Sequence, residues 1–315
     1  VERVSKPLEI DRLVDLASEV LHNRERLNAS FADSGKEHAL REILRVGASA
    51  GGARAKAVIA WNPATNEVRS GQVPAPEGFE YWLLKFDGVA RNKDRELDDP
   101  QGFGVIEYAY SLMARTAGIS MPECRLFEEN GRRHFMTRRF DRLAEGEKMH
   151  MQSLGALAHL DLNDPSANSY EQGFEVMHRL GLSMDEVEEQ FRRMVFNVVA
   201  RNQDDHVKNI AFLMDKRGVW RLSPAFDVAY AYNPGGLWTR VHQMSIGGKR
   251  DGFDMDDLRA IARRAGMKRG RAETITREVV RAVERWPVFA EEAGVPAAQV
   301  GMIAHAHRMG IAGTA

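Results

Sequence analysis

The chain has 315 residues, 43% hydrophobic and 28% charged, a globular composition at a length that suits one large domain or two lobes. Lys+Arg 44 against Asp+Glu 45 leaves a formal charge of -1, which argues against nucleic acid as the main ligand because no global positive field exists to hold a polyanion. The one cysteine, Cys124, permits no internal disulfide and reads as a small core residue, and no stretch approaches the roughly 18 apolar residues of a membrane span, so a cytoplasmic protein with no membrane partner is expected.

The start, Val1-Glu2-Arg3-Val4-Ser5-Lys6, has no apolar signal core behind it, and the missing initial Met implies a processed chain or a piece of a longer one. Apolar residues at Leu8, Leu13, Leu16, Val20 and Leu27 follow a helical rhythm and predict a lead-in helix. After Arg45 a Gly/Ala/Ser run, Val46 to Lys56, reads as a loop feeding the strand Ala57–Trp61. Tyr81–Phe86 is strand-like by its aromatic content. A helix is predicted from about Gly102 to Ala117, closed by Gly118, and Arg133–Phe140 is another strand candidate. From His150 onward the pattern is helical, interrupted by Ile210–Met214, the turn Asp215-Lys216-Arg217-Gly218, and Val219–Leu222, a hairpin inside a helical lobe. The expected architecture is therefore α+β and bilobal: residues 1–142 form a small strand-rich lobe and residues 143–315 a mainly helical one.

Chemistry concentrates in Asn202-Gln203-Asp204-Asp205-His206-Val207-Lys208-Asn209, after the apolar helix Phe191–Val199. Asp204 and Asn209 have four residues between them, the spacing a kinase catalytic loop uses to set a carboxylate at the attacking hydroxyl and an amide oxygen on a metal. The hairpin then delivers Ser223-Pro224-Ala225-Phe226-Asp227, placing Asp227 where kinases hold their main Mg²⁺ ligand. A capped helix end with a solvated polar turn is the competing reading of this segment. Lys85 stands in an otherwise apolar strand and needs solvent or a partner. Glu107 qualifies, since Phe103, Ile106, Glu107, Tyr110, Met113, Ala114 and Ala117 share one helical face. Such a pair fixes the lysine that holds ATP phosphates in kinases, against the alternative that the two never meet. Gly47-x4-Gly52 opens like a Walker A motif but departs from it: Ala53-Arg54 replace Lys-Ser/Thr, and a strand follows where a helix is required. A loop leading into a strand suits a phosphate-covering lid, with Lys56 adding charge.

Taken in order, SAGGARAK from Ser49 to Lys56, LLKF at Lys85, RRFDR from Arg138 to Arg142, NQDDHVKN and LSPAFD resemble the HipA family of toxin kinases, over most of residues 46–235. The resemblance implies an ATP- and Mg²⁺-dependent serine/threonine-protein kinase of protein-kinase-like fold, with Asp204 catalytic and Asn209 and Asp227 on Mg²⁺. It implies ATP contacts from Ser49, Ala50, Gly51, Gly52, Ala53, Lys56, Lys85 with Glu107, His206 and Lys208, and adenine contacts from the backbone between Arg138 and Phe140. It implies a protein acceptor, with an aminoacyl-tRNA synthetase the class to expect, a HipB-like helix-turn-helix antitoxin partner, and DNA met only through that antitoxin. Ser49 is the expected autophosphorylation site, because HipA-like kinases have a serine at the matching position of this loop, and a phosphate there would repel those of ATP and turn the enzyme off; a turn-forming serine is the alternative. Two departures stand out. Family members commonly carry a further N-terminal subdomain, for which little chain precedes the glycine run here, and Arg138 stands where a carboxylate is common.

Two other functions fit the same residues: a small-molecule or lipid kinase, and a catalytically silent kinase-fold binding module. The basic run Arg263 to Arg271 reads as a solvated helix end, or else as a face for an acidic partner or DNA. Tyr81, Trp82, Trp220 and Trp238 read as packing residues.

Overall fold

Five antiparallel strands alternate large apolar side chains with smaller or polar ones, and that alternation builds the first core. In the computed structural model, which describes residues 56–87, 102–129, 131–143 and 147–312, these are β1 (Lys56–Trp61), β2 (Val68–Ser70), β3 (Glu80–Lys85), β4 (Cys124–Glu129) and β5 (Arg132–Arg138), in the order β2-β1-β3-β5-β4. Ala57, Ile59 and Trp61 of β1 meet Trp82 and Leu84 of β3 and Met136 of β5 on one face, with Trp61 and Trp82 edge-on at 5.8 Å. Period-2 geometry sends Lys56 and Lys85 to the other face, and the register sets them directly opposite one another.

Helix α1 (Phe103–Thr116) follows, and its start lacks an acidic residue of its own. The need is met from β3's end: the buried Asp87 carboxylate accepts from the N–H of Gly102 (3.1 Å) and, more weakly, from that of Gly104 (3.4 Å). Asp87 N–H in turn donates to Nδ1 of the fully buried His134 (2.9 Å). Gly104 is required for close approach, since a Cβ there would lie 2.5 Å from the Arg133 carbonyl oxygen.

The remaining described chain holds β6 (His150–Ser153), α2 (Leu154–Ala158), α3 (Tyr170–Arg179), α4 (Met184–Val199), β7 (Ala211–Met214), β8 (Trp220–Leu222), α5 (Met255–Arg264), α6 (Arg271–Glu284), α7 (Trp286–Ala293) and α8 (Ala297–Ala306). Ser169, Ser183 and Asp254 each open a helix with a capping box, satisfying end N–H groups with side chains three residues apart. The predicted hairpin exists but is not isolated: β6 pairs with β7 to make a three-stranded antiparallel sheet, β6-β7-β8. The chain divides into two units, one running to Tyr108 and taking in Glu123–Lys148, the other comprising Ala109–Pro122 and everything from Met149. No helix among the described residues is long and apolar enough to cross a membrane.

Candidate active site

In the first unit, Lys85 and Glu107 meet. Lys85 Nζ donates to Glu107 Oε1 at 2.5 Å, with the side chains 11% and 3% exposed, and the ammonium also lies 5.6 Å from the centre of the Phe135 ring. Lys56 faces Lys85 across the β1–β3 pair. Two like charges opposite each other cost stability unless an anion compensates them. Arg138 is exposed and pairs with Glu80 (3.2 Å) and Glu123 (3.8 Å). The amides of Arg138 and Arg139 donate to the carbonyls of Glu123 and Tyr81, both at 2.8 Å, so neither is available to a ligand; Phe140, next in the chain, is half-buried.

In the second unit, the polar segment starts where α4 runs out. Two residues of this region, Arg201 (φ 58°) and Asp227 (φ 53°), hold left-handed backbone that side-chain-bearing residues rarely adopt. Gln203 N–H donates to the Ala231 carbonyl (3.2 Å). Asn209 Nδ2 then donates to the Asp204 carbonyl (2.9 Å) and Asn209 N–H to that of His206 (2.8 Å), closing the loop on itself. Asp204, Asn209 and their spacing are thus joined in space.

Adjacent Asp204 and Asp205 have opposite surroundings. Asp205 is buried and accepts from the Tyr170 hydroxyl (2.7 Å), His242 Nδ1 (2.8 Å) and Gln243 N–H (2.8 Å). Burial pushes its pKa up, but the His242 imidazole and the three hydrogen bonds outweigh burial and hold it below the ordinary carboxylate range. Asp205 therefore anchors the loop. Asp204 keeps 43% of its side chain exposed and accepts from Trp238 Nε1 at Oδ1 (3.0 Å), with His206 Nε2 at 3.9 Å. Desolvation foremost, and the negative charges of Asp227 and Asp205, raise its pKa against the opposing pull of His206 and the Trp238 bond. Of the two carboxylates, Asp204 is the one open to solvent.

That mutual repulsion among Asp204, Asp227 and Asp205 is what a divalent cation would relieve. Asn209 and Asp227 line one small cavity with His206 and Asn202. Among the described residues no group of three or more His, Cys, Asp or Glu forms a metal cage. One carboxylate with one amide oxygen fits Mg²⁺, which keeps waters and takes further ligands from phosphates, and does not fit a structural zinc.

Trp238 departs from the expectation of mere packing, because its indole N–H holds the exposed carboxylate; it lies 34 residues away in sequence, so no local spacing announces it. Lys208 is exposed on the loop. In the basic run, Arg264 pairs with Glu175 and Arg271 with Glu188, as a solvated helix end would. Ser49, Ala50, Gly51, Gly52 and Ala53 lie outside the described residues, as does the lead-in helix.

Residues 48–286 match the model of the HipA-like C-terminal domain. The chain belongs to that family. A solved HipA, from the complex of HipA, HipB and operator DNA of the Shewanella oneidensis MR-1 toxin-antitoxin system, matches this HipA-like chain with a TM-score of 0.63 and 16% identity, covering 96% of this chain and 70% of that one. The fold is thus the HipA-like, protein-kinase-like α+β fold. The Helicobacter pylori proinflammatory kinase CtkA also matches, with a TM-score of 0.39 and 12% identity over 68% of this chain and 90% of that one. Among curated proteins there is no sequence match.

Proposed function

We propose that this HipA-like chain is an ATP- and Mg²⁺-dependent serine/threonine-protein kinase acting in the cytoplasm as the toxin of a toxin-antitoxin pair. The observation that carries the reading is the division of labour between neighbours: Asp205 buried as an anchor, Asp204 open and loop-closed to Asn209, with the charge of Asp227 acting on it. Phosphoryl transfer needs one carboxylate at the acceptor hydroxyl and hard oxygen donors for a cation at the phosphates.

In this reading Asp204 receives or orients the hydroxyl proton, and Trp238, by occupying Oδ1, directs the other carboxylate oxygen to the acceptor. Asn209 and Asp227 would hold Mg²⁺, which neutralises phosphate charge when bound. Glu107 aims Lys85 at phosphate oxygens and Lys56 adds a second cation on that face. Ser49 phosphorylation, a HipB-like helix-turn-helix partner, DNA contact through that partner, and an aminoacyl-tRNA synthetase as acceptor are part of the same proposal, supported by the family resemblance. The last is the acceptor class to test first.

Incubation of wild type and Asp204→Ala with labelled ATP, Mg²⁺ and a cell lysate tests the reading. Label on protein serine or threonine with wild type alone supports it. Label only on metabolites or lipids would replace it with a small-molecule kinase, and no transfer in either sample would leave a binding module.

A further inference from the structure

The family match stops at residue 286, yet the chain beyond it reaches the root of the 200–209 loop. Helix ends leave carbonyls without partners. At the end of α4, Val199 O accepts from Arg308 N–H (2.9 Å) and Ala200 O from the Tyr110 hydroxyl (2.7 Å). The same hydroxyl oxygen lies 3.1 Å from His307 Nε2. Because its proton goes to Ala200, the imidazole is the donor there and carries a proton on Nε2. Burial foremost, and then Arg201, push the His307 pKa down to about 4, which makes the ring neutral near pH 7.

Arg201 comes next, and its left-handed backbone costs about 1–2 kcal/mol unless something holds it. Its guanidinium does the holding. Nε donates to the Ala306 carbonyl (2.8 Å), the group lies 4.1 Å from the centre of the Tyr232 ring, and Nη1 is 3.9 Å from Asp251. Arg308 pairs with that same Asp251. The Gln203 amide, oriented by its neighbours, accepts from Arg201 Nη1 (3.2 Å), and Ala231 N–H donates to the Arg201 carbonyl (3.1 Å). A tail that merely covered apolar surface would not place a backbone carbonyl, an imidazole and a backbone amide, from three successive residues, against one turn of chain.

We propose that Ala306-His307-Arg308 is a clamp that fixes the backbone from Arg201 to Asp204, and that Arg201 and His307 are positioning residues for Asp204. Release of the clamp lets Arg201 return to negative φ, which re-aims Gln203 and Asp204 and parts Asp204 from Trp238. This rests on the reading of Asp204 as the residue that meets the acceptor hydroxyl.

The test uses the full chain with Arg201→Ala, His307→Phe and Arg201→Lys, because truncation after Ala306 risks unfolding. Amide hydrogen exchange over residues 200–209 should quicken by about tenfold or more in Arg201→Ala and His307→Phe, the size set by a lost charge-assisted or buried hydrogen bond, while residues 56–85 exchange as in wild type. Turnover should fall by about tenfold with the KM for ATP within about twofold, and Arg201→Lys should recover part of it. Unchanged exchange over 200–209 in a folded Arg201→Ala would overturn the clamp, as would a raised KM with turnover intact. If the wild type transfers no phosphate, the kinase reading fails by itself, and the exchange measurement still decides the clamp.

Discussion

Replacing Glu107 with leucine should cost the first unit more than the loss of one hydrogen bond. Its carboxylate and the Lys85 ammonium are 2.5 Å apart, with 3% and 11% of their side chains exposed. At an effective dielectric near 20 their gross attraction is about 7 kcal/mol, most of it spent on removing both charges from water. What survives in a measurement is the penalty of stranding one charge. Glu107→Leu removes the carboxylate that Lys85 Nζ reaches at 2.5 Å and leaves the ammonium against Phe135, a loss of about 3–4 kcal/mol. Lys85→Met should cost a similar amount. Lys85→Met/Glu107→Leu removes both charges of the pair together and should lie no lower than the worse single variant, so the cycle gives a coupling of about 2 kcal/mol or more. Native-state hydrogen exchange read on residues 80–85 and 103–108 reports the stability of this unit without mixing in the second. Additivity within about 0.5 kcal/mol would refute the reasoning, since independent groups behave that way.

Asp205→Asn should destabilise the second unit by about 3 kcal/mol, because a buried carboxylate that accepts from Tyr170, His242 and Gln243 is replaced by an amide, while Asp204→Asn should change stability by less than about 1 kcal/mol; thermal unfolding of the two variants makes the comparison. His307 binds its proton near pH 4 when folded and near 6.5 when unfolded, so the unfolded chain holds more protons between those values. Stability from this residue is complete above about pH 6.5 and is lost as pH falls toward 4, by about 3 kcal/mol in all, and denaturant titrations across pH 4–7 should show a shallower slope in His307→Gln. Asp227→Asn should weaken Mg²⁺-dependent ATP binding at least about tenfold, and calorimetry with and without Mg²⁺ would expose a variant whose affinity and metal dependence match wild type.

The meeting of Lys85 with Glu107 is readable from sequence because each violates its own pattern: a cation in an apolar strand, an anion on an apolar helical face. The hairpin β7–β8 is readable for the same reason, as two short apolar runs around Asp215–Gly218. Its third strand is not, because His150–Ser153 is four residues long, apolar only at Met151, and acquires strand character only from pairing with Ala211–Met214. Sequence also leaves Asp204 and Asp205 undivided by role. Successive residues in an extended loop point to opposite sides, so one of the two is buried, but which one depends on Tyr170 and His242, 35 and 37 residues from Asp205 along the chain. Trp238 escapes detection on the same ground, and so does Asp87, which caps a helix 15 residues downstream. Contacts of this kind are written in the fold and not in any window of sequence.

Asp87 lies two residues after Lys85, and the amides it holds, at Gly102 and Gly104, lie five and three residues before Glu107. Strand β3 therefore grips the start of α1 at two points, a charged cap and an ion pair about one helical turn apart, while Gly104 seats the helix against the β5 backbone. Many kinases are switched by swinging the glutamate-bearing helix away from the lysine strand. Here that motion would break both grips at once, so parting this helix from its strand costs more than the ion pair alone.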